Sequence, residues 1–166
     1  MFEKHTSKLL ATLGLFVIIS SLNACAVDTP DQKNQHHQAG AQATLSLDNG
    51  KKWRTDEPLR EGMENIRVAF VLSLQEIREN KFSHGSYGKL SHKIHDEMNH
   101  ISDDCKAGPK AKAQLHLILA EIHEGTESME GKSASASRQD GVERVLGALE
   151  KYNTYFDHAG WRPIKR

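Results

Sequence analysis

Four residues of the chain have side chains that suit a soft metal site: Met63, Cys105, His116 and His158. Thioether, thiolate and imidazole groups are ligands that copper accepts. Each residue also has a plainer interpretation. Met63 and Cys105 continue apolar helical stripes as core residues, and His116 is typical of a helix edge. His158 points away from the core if its helix continues past it, so both interpretations stay open.

A second candidate metal site, at the surface, consists of His92, Asp96 and His100. These residues are spaced by four and therefore form one stripe of a helix, a spacing that can hold a metal ion between turns. Relative to the apolar stripe of the same segment, they point to solvent. A solvated polar face is the simpler interpretation, and we expect weak zinc, nickel or copper binding there at most.

Four helical segments position these residues. Apolar residues recur at steps of three and four, as on one face of a helix, in segments that begin after Asp56, Ser83, Gly108 and Ser137. The last segment is expected to end near Gly160. Four helices of about twenty residues with short connections predict an all-α, antiparallel up-down-up-down four-helix bundle over residues 45–166. A short extended piece with a turn at Asn49-Gly50 precedes the first helix.

This topology predicts that distant residues meet at one end of the bundle. The end collects the start of the first helix, the loop between the second and third helices, and the exit of the fourth. Met63, Cys105, His116 and His158 are therefore expected in one neighbourhood. Trp53 and Trp161 belong to the same end, where the simplest expectation is that they cover it with apolar surface.

The first 24 residues have the pattern of an export signal. Lys4 and Lys8 lead into an apolar run over residues 9–19, which is shorter than the roughly 20 residues of a membrane-spanning helix. Residues 21–25, Ser-Leu-Asn-Ala-Cys, resemble a bacterial lipobox. The resemblance implies cleavage before Cys25 and acylation of Cys25. Because Ala26 follows it rather than Asp, analogy with lipoprotein sorting predicts the periplasmic face of the outer membrane.

Residues 25–44 predict an acylated, flexible tether between the membrane and the helical domain. They are rich in Asp, Gln, Asn, Ala and Gly and have almost no apolar content. About twenty such residues give a mean reach of roughly 25 Å. Once Cys25 is acylated, Cys105 is the only remaining thiol, so no disulfide within the chain is expected.

Charge and motifs exclude several functions. The chain has 22 basic and 22 acidic residues, whereas nucleic-acid binding requires a basic face. It has no Gly-rich phosphate loop, no G-x-S-x-G and no H-E-x-x-H. Glu121-Ile122-His123-Glu124 lacks a second histidine four residues after His123. We therefore expect that the protein is not an enzyme.

Two sequence blocks, residues 47–63 (LDNGKKWRTDEPLREGM) and 156–163 (FDHAGWRP), resemble a group of small proteobacterial exported proteins that have no established activity. The resemblance implies no reaction. A second resemblance is to periplasmic b-type cytochromes, four-helix bundles that bind haem through a Met early in the first helix and a His late in the fourth. Met63 and His158 match those two positions only. No C-x-x-C-H motif is present for covalent haem.

These patterns predict a non-catalytic lipoprotein that acts as a binding or accessory module facing the periplasm, with a protein partner of unknown identity. The alternative is a copper- or haem-binding electron-transfer protein that uses Met63, Cys105, His116 and His158. The two hypotheses differ in whether those four side chains converge.

Overall fold

The computed structural model describes residues 44–165, which are mostly helical. Its four helices are α1 (Glu57–Arg78), α2 (His84–Asp104), α3 (Pro109–Glu130) and α4 (Arg138–Tyr155). Two strands of two residues each, β1 (Trp53–Arg54) and β2 (Phe156–Asp157), flank them. The predicted all-α class with four helices is confirmed. The predicted signal peptide (1–24), Cys25 and the tether as far as residue 43 lie outside the described residues.

Three of the four helices in the described range begin at a side-chain cap, and α3 begins instead with Pro109 after Gly108. The Asp56 side chain accepts a hydrogen bond from Leu59 N at the start of α1, and Pro58 occupies the first turn. Ser83 caps α2 in the same way. Ser137 and Asp140 form a reciprocal capping box at the start of α4. Such caps are worth about 1 kcal/mol each, so they fix the starts of these helices to the residue.

One hydrophobic core unites the four helices, as the apolar stripes predict. The apolar residues of α1 that recur at steps of three and four are all buried, namely Leu59, Met63, Ile66, Phe70, Leu74 and Ile77. The core continues through α2, α3 and α4 to Phe156. The largest fully buried side chains are Tyr152, Phe70, Phe156, Leu59, Met63, Ile66, Ile77, Ile94, Ile101, Ile118, Ile122 and Met129. Burying each of them contributes roughly 1.5–3 kcal/mol, which offsets the entropy of ordering the chain.

Glycines allow α3 and α4 to approach closely. A Cβ atom at Gly125 would lie 2.9 Å from the carbonyl oxygen of Gly141, and a Cβ atom at Gly141 would lie 2.8 Å from Met129 N. These separations are shorter than van der Waals contact, so larger residues would force the helices apart. The two glycines therefore set the spacing of this helix pair.

The two short strands join the beginning of the helical domain to its end. They pair in parallel, Trp53 with Phe156 and Arg54 with Asp157. The Thr55 hydroxyl donates to Asp157 O at 2.6 Å and adds to this junction. Before β1, the predicted turn at Asn49-Gly50 is confirmed: Asp48 and Lys51 form a bridge around it.

The prediction that the fourth helix ends near Gly160 is wrong, because α4 ends at Tyr155. Phe156 adopts an extended backbone, with φ −117° and ψ 138°, and its side chain is buried. Strand pairing with β1 therefore replaces the helical hydrogen bonds that the next turn would have made. This early end changes the orientation of His158.

Candidate functional site

Met63 and Cys105 lie in the core. Met63 is fully buried within α1, and Cys105, the residue that ends α2, is 4% exposed. Asp56 accepts hydrogen bonds from Lys106 N and Leu59 N, and it also interacts with the Cys105 thiol. Burial raises the pKa of the Cys105 thiol, and the Asp56 carboxylate acts in the same direction. Both effects favour the protonated form of the thiol over the thiolate.

His158 is half-buried because α4 ends before it. Its Nδ1 atom lies 3.0 Å from the Tyr152 hydroxyl oxygen, and its ring centroid is 5.1 Å from that of Trp161. Tyr152 also stacks on Phe156 at 5.3 Å. Burial lowers the pKa of His158, and the Glu64 carboxylate opposes that shift. Trp53 and Trp161 are both half-buried against the core, as expected for residues that cover this end.

The predicted copper set is not assembled as a ligand cluster. His116 is exposed on α3, whereas Met63 and Cys105 are buried in the core. Within residues 44–165, no group of three or more His, Cys, Asp and Glu side chains is placed to share a metal ion. The nearest hydrogen-bonding partner of His158 is the Tyr152 hydroxyl. Copper or haem binding at these residues therefore stays a prediction that no observed contact favours.

The surface set on α2 is exposed, as the helical phase predicts. His92 Nε2 lies 3.7 Å from Asp96 Oδ2, and both side chains are more than half exposed. His100, one turn further on, lines a cleft of about 260 Å³ together with Glu97, Asp104 and residues of α1. His92, Asp96 and His100 also lie within residues 44–165, where no group of three such side chains is placed to share a metal ion.

A polar contact between α2 and α3 was not predicted. His95 Nε2 lies 2.7 Å from the Thr126 hydroxyl, and that hydroxyl donates to His123 O at 2.7 Å. Because the hydroxyl has only one proton, it accepts from His95, so Nε2 of His95 carries a proton. The rings of His95 and His123 are 5.2 Å apart. Ser91 donates to Thr126 O at 3.3 Å.

The electrostatics of His95 differ from those of an exposed histidine. Burial lowers the pKa of His95, and the nearby His123 lowers it further, while Glu130 opposes the shift. The only sequence signal for this contact was the position of Ser91, His95 and Thr126 on core-facing flanks of adjacent helices. Periodicity alone could not show that these flanks meet.

The outer side of α1 exposes large apolar side chains. Val68, Val71 and Leu72 are 38%, 41% and 76% exposed. They are spaced i, i+3 and i+4, so they form one patch on the helix. Beside it, a groove of about 690 Å³ separates α1 from the C-terminal segment 162–165. Sequence reasoning followed only the buried stripe of α1 and missed this second, smaller one.

A second cleft lies at the end of the domain where α3 begins. It has a volume of about 620 Å³ and is lined by β1, by Thr55 and Asp56, and by residues 106–111 of the loop and the first turn of α3. Trp53 forms part of its wall, and its indole nitrogen donates to Ser46 O at 2.7 Å. The cleft is broad and open, and most of the surface it exposes is apolar.

Comparison of the chain with protein-family models, with curated proteins and with solved structures finds no match. The resemblance of residues 47–63 and 156–163 to small exported proteins accordingly stays a prediction. In the part of the chain that the structure describes, no helix combines the length and apolar character needed to cross a membrane.

Proposed function

We propose that this protein is a lipid-anchored, non-catalytic binding or accessory module on the periplasmic face of a bacterial outer membrane. The anchoring half of the proposal is supported by the sequence of residues 9–25, in which an apolar run is followed by Ser-Leu-Asn-Ala-Cys. Acyl chains on Cys25 would hold the protein at the membrane without a spanning helix. Residues 26–44 would then give the helical domain its reach.

The four helices are proposed to run alternately up and down, as an antiparallel bundle. Support comes from hydrogen bonds between consecutive helices. A residue in the first half of α1 or α2 contacts one in the second half of the next helix, and the two α3–α4 pairs occur in opposite order along their helices. These pairs are Asn65 with Glu97, Ser91 with Thr126, Glu124 with Arg144, and Glu121 with Lys151. Pairing of β1 with β2 is consistent with α1 beginning at the end where α4 finishes.

The observation that carries the binding half of the proposal is the exposed apolar patch of Val68, Val71 and Leu72 on α1. Leu72 is 76% exposed although the core stripe of the same helix is fully buried. Single exposed apolar residues are ordinary, but a group of three on adjacent turns is typical of an interaction surface. A protein partner in the periplasm fits this surface. The balanced charge of the chain gives no support to nucleic acid.

Copper or haem binding at Met63, Cys105, His116 and His158 is not put forward as a second function. No contact among the described residues favours it, and burial raises the pKa of the Cys105 thiol. The exposed patch on α1, in contrast, gives the binding proposal a defined location.

Anchoring is tested with the two cysteines as a matched pair. Cells expressing the full chain are labelled with radioactive palmitate and fractionated. The wild type and Cys105→Ala are expected to carry label and to sediment with membranes, because acylation takes place at Cys25. Cys25→Ser is expected to lose the label and the membrane association. A labelled, membrane-bound Cys25→Ser variant would show that the lipobox interpretation is wrong.

Binding is tested by native electrophoresis of membranes solubilised in mild detergent. The wild type is expected to migrate in an assembly larger than one chain, and Leu72→Ser as a single chain with an unchanged melting temperature. Ala120→Ser, at an exposed position of α3, is the control and should migrate as the wild type does. If the wild type migrates as a single chain, the binding proposal fails.

A further inference from the structure

The groove beside the exposed patch of α1 has a defined composition. Its α1 wall contains Arg67, Val71, Leu74, Gln75, Arg78 and Glu79, and its other wall is the segment Arg162, Pro163, Ile164 and Lys165. Val71 belongs both to the groove and to the exposed patch, so the two surfaces are continuous. Together they present an apolar strip, Val68, Val71 and Leu72, with a charged border along one side.

The charged border is basic. Four cations line the groove, Arg67, Arg78, Arg162 and Lys165, against one carboxylate, that of Glu79. Arg67 is already paired, because its Nε atom lies 2.7 Å from Glu64 Oε2. The Glu79 carboxylate is paired with Lys81 at 2.7 Å. The remaining charge of the groove is therefore positive, from Arg78, Arg162 and Lys165.

Arg78 links the two walls of the groove. Its guanidinium donates to Lys165 O at 2.8 Å, which holds the C-terminal segment alongside α1. Only one of the five N–H donors of Arg78 is needed for that bond, so others can bind an incoming carboxylate. Arginine is well suited to this because its planar fork matches the two oxygens of a carboxylate.

We propose that this groove and the adjoining patch bind an acidic, amphipathic segment of a partner protein. This proposal rests on the proposed binding function and names the chemistry of the partner. The apolar side chains of the segment cover Val68, Val71 and Leu72, and its carboxylates pair with Arg78, Arg162 and Lys165. From Arg67 to Arg78 the helix rises about 16 Å, so about three turns of a partner helix fill the surface.

Charge distinguishes this occupant from two others. A second copy docked so that the two basic borders face each other would place like charges in contact, which is repulsive. A flat anionic membrane would also meet Glu57 and Glu61, two exposed residues that precede Val68 on the same outer side of α1. A narrow acidic segment lies along the basic border and leaves those carboxylates in solvent.

The proposal is tested by photo-crosslinking in the cells that make the protein, with benzoylphenylalanine in place of Leu72 in the full-length chain. The same amino acid in place of Ala120, exposed on α3, is the positional control. We expect an adduct from position 72 and none from position 120. Mass spectrometry of the adduct is expected to identify a partner peptide with more Asp and Glu than Lys and Arg, interspersed with Leu, Ile, Val or Phe.

Charge reversal is combined with the crosslinker. Arg78→Glu with Arg162→Glu is expected to lower the yield of the adduct about tenfold, because like charges then face each other across the contact. Lys89→Glu with Lys93→Glu, two exposed residues of α2, is the matched control and should leave the yield unchanged. If the first variant melts early, Arg162→Glu with Lys165→Glu tests the same border outside the helices.

The outcomes separate this inference from the binding function itself. An adduct with a basic peptide, or one whose yield is unchanged by the charge reversals, overturns the proposal of an acidic partner, whereas the proposed binding function stands. An adduct with lipid, with a second copy, or with residues 1–43 of the same chain also overturns it in favour of that occupant. No adduct from position 72, in cells where Cys25 is acylated, overturns both proposals.

Discussion

His158 and His95 are both half-buried and both within hydrogen-bonding distance of the hydroxyl group of a buried residue, but their surroundings differ. His158 lies at the end of the helical domain, with Tyr152 and Trp161 as ring neighbours. His95 lies between α2 and α3, and its ring neighbour is the exposed His123. Burial lowers the pKa of both. Neighbouring charges then decide how each site responds to protons.

Those charges have opposite effects at the two sites. At His158 the strongest electrostatic neighbour is Glu64, which favours the protonated ring. At His95 it is His123, which disfavours it. The first site is therefore mainly an apolar contact that holds β2 and the C-terminal segment against the core. The second is a polar contact between two helices, although the sequence draws attention only to the first.

The largest expected effect comes from removing each histidine's ring neighbour. Trp161→Ala is expected to lower the free energy of unfolding by about 2 kcal/mol, because a half-buried Trp loses its packing against Tyr152. His123→Ala is expected to change it by less than about 0.5 kcal/mol at neutral pH, because its side chain is mostly exposed. Urea unfolding followed by circular dichroism measures both. Equal losses would mean that the two sites are not distinguished by aromatic packing.

The next effect concerns the hydroxyl group beside His95. Thr126→Val keeps the shape of this fully buried residue but removes the acceptor of His95 Nε2. We expect a loss of about 1 kcal/mol, the usual net contribution of a hydrogen bond, because the donor is only partly buried. Thr126→Ser keeps the hydroxyl and serves as the control. If Val and Ser variants unfold at the same urea concentration, the hydrogen bond contributes nothing measurable.

A smaller effect is the dependence of stability on pH. Because the pKa of His95 and that of His158 are lowered in the folded state, the unfolded chain binds more protons as the pH falls through about 6.5. The stability that the neutral rings contribute is therefore present above that pH and is lost below it. His95→Gln is expected to flatten the fall in unfolding free energy between pH 7 and pH 5.

Variants of the charged neighbours test the cause of this pH dependence. His123→Ala removes the charge that opposes protonation of His95, so it is expected to weaken the pH dependence. Glu64→Gln removes the carboxylate that favours protonated His158, so it is expected to strengthen it. NMR titration of the His95 and His158 rings measures both changes in pKa. Shifts of the same sign in the two variants would contradict the assignment of these neighbours.

Local patterns predicted the helices well because each carries its own signals. Apolar steps of three and four, and Asp56 with Pro58, act within a few residues of one another. The end of α4 depended instead on Phe156 pairing with Trp53, across about a hundred residues of chain. No local pattern shows such a pairing, so the predicted helix extended too far.

The same difference between local signals and long-range contacts explains which features of the site residues could be predicted. The exposure of His92 and Asp96 followed from the phase of α2 alone. The contact between His95 and His123 depends on how α2 and α3 are rotated against each other, which packing of the whole core decides. The topological argument did bring Asp56, Cys105 and the residues around His158 to one end. It could not show that Asp56 would interact with Cys105 and that Tyr152 would lie within hydrogen-bonding distance of His158.

The smallest expected effect is that of added copper on the chain from Ala26 onward. Because Cys105 is buried and burial raises the pKa of its thiol, one equivalent of copper should produce no intense thiolate-to-copper charge-transfer band. Weak binding is expected at the exposed His92 and Asp96 instead, since a neutral imidazole and a carboxylate one turn apart can share an ion. His92→Ala should then remove the weak visible absorption, and His158→Ala should leave it unchanged. A stoichiometric band that His158→Ala or Cys105→Ala abolishes would contradict this expectation and would make the end of the domain a metal site. Of the two histidines compared, His158 would then be a metal ligand.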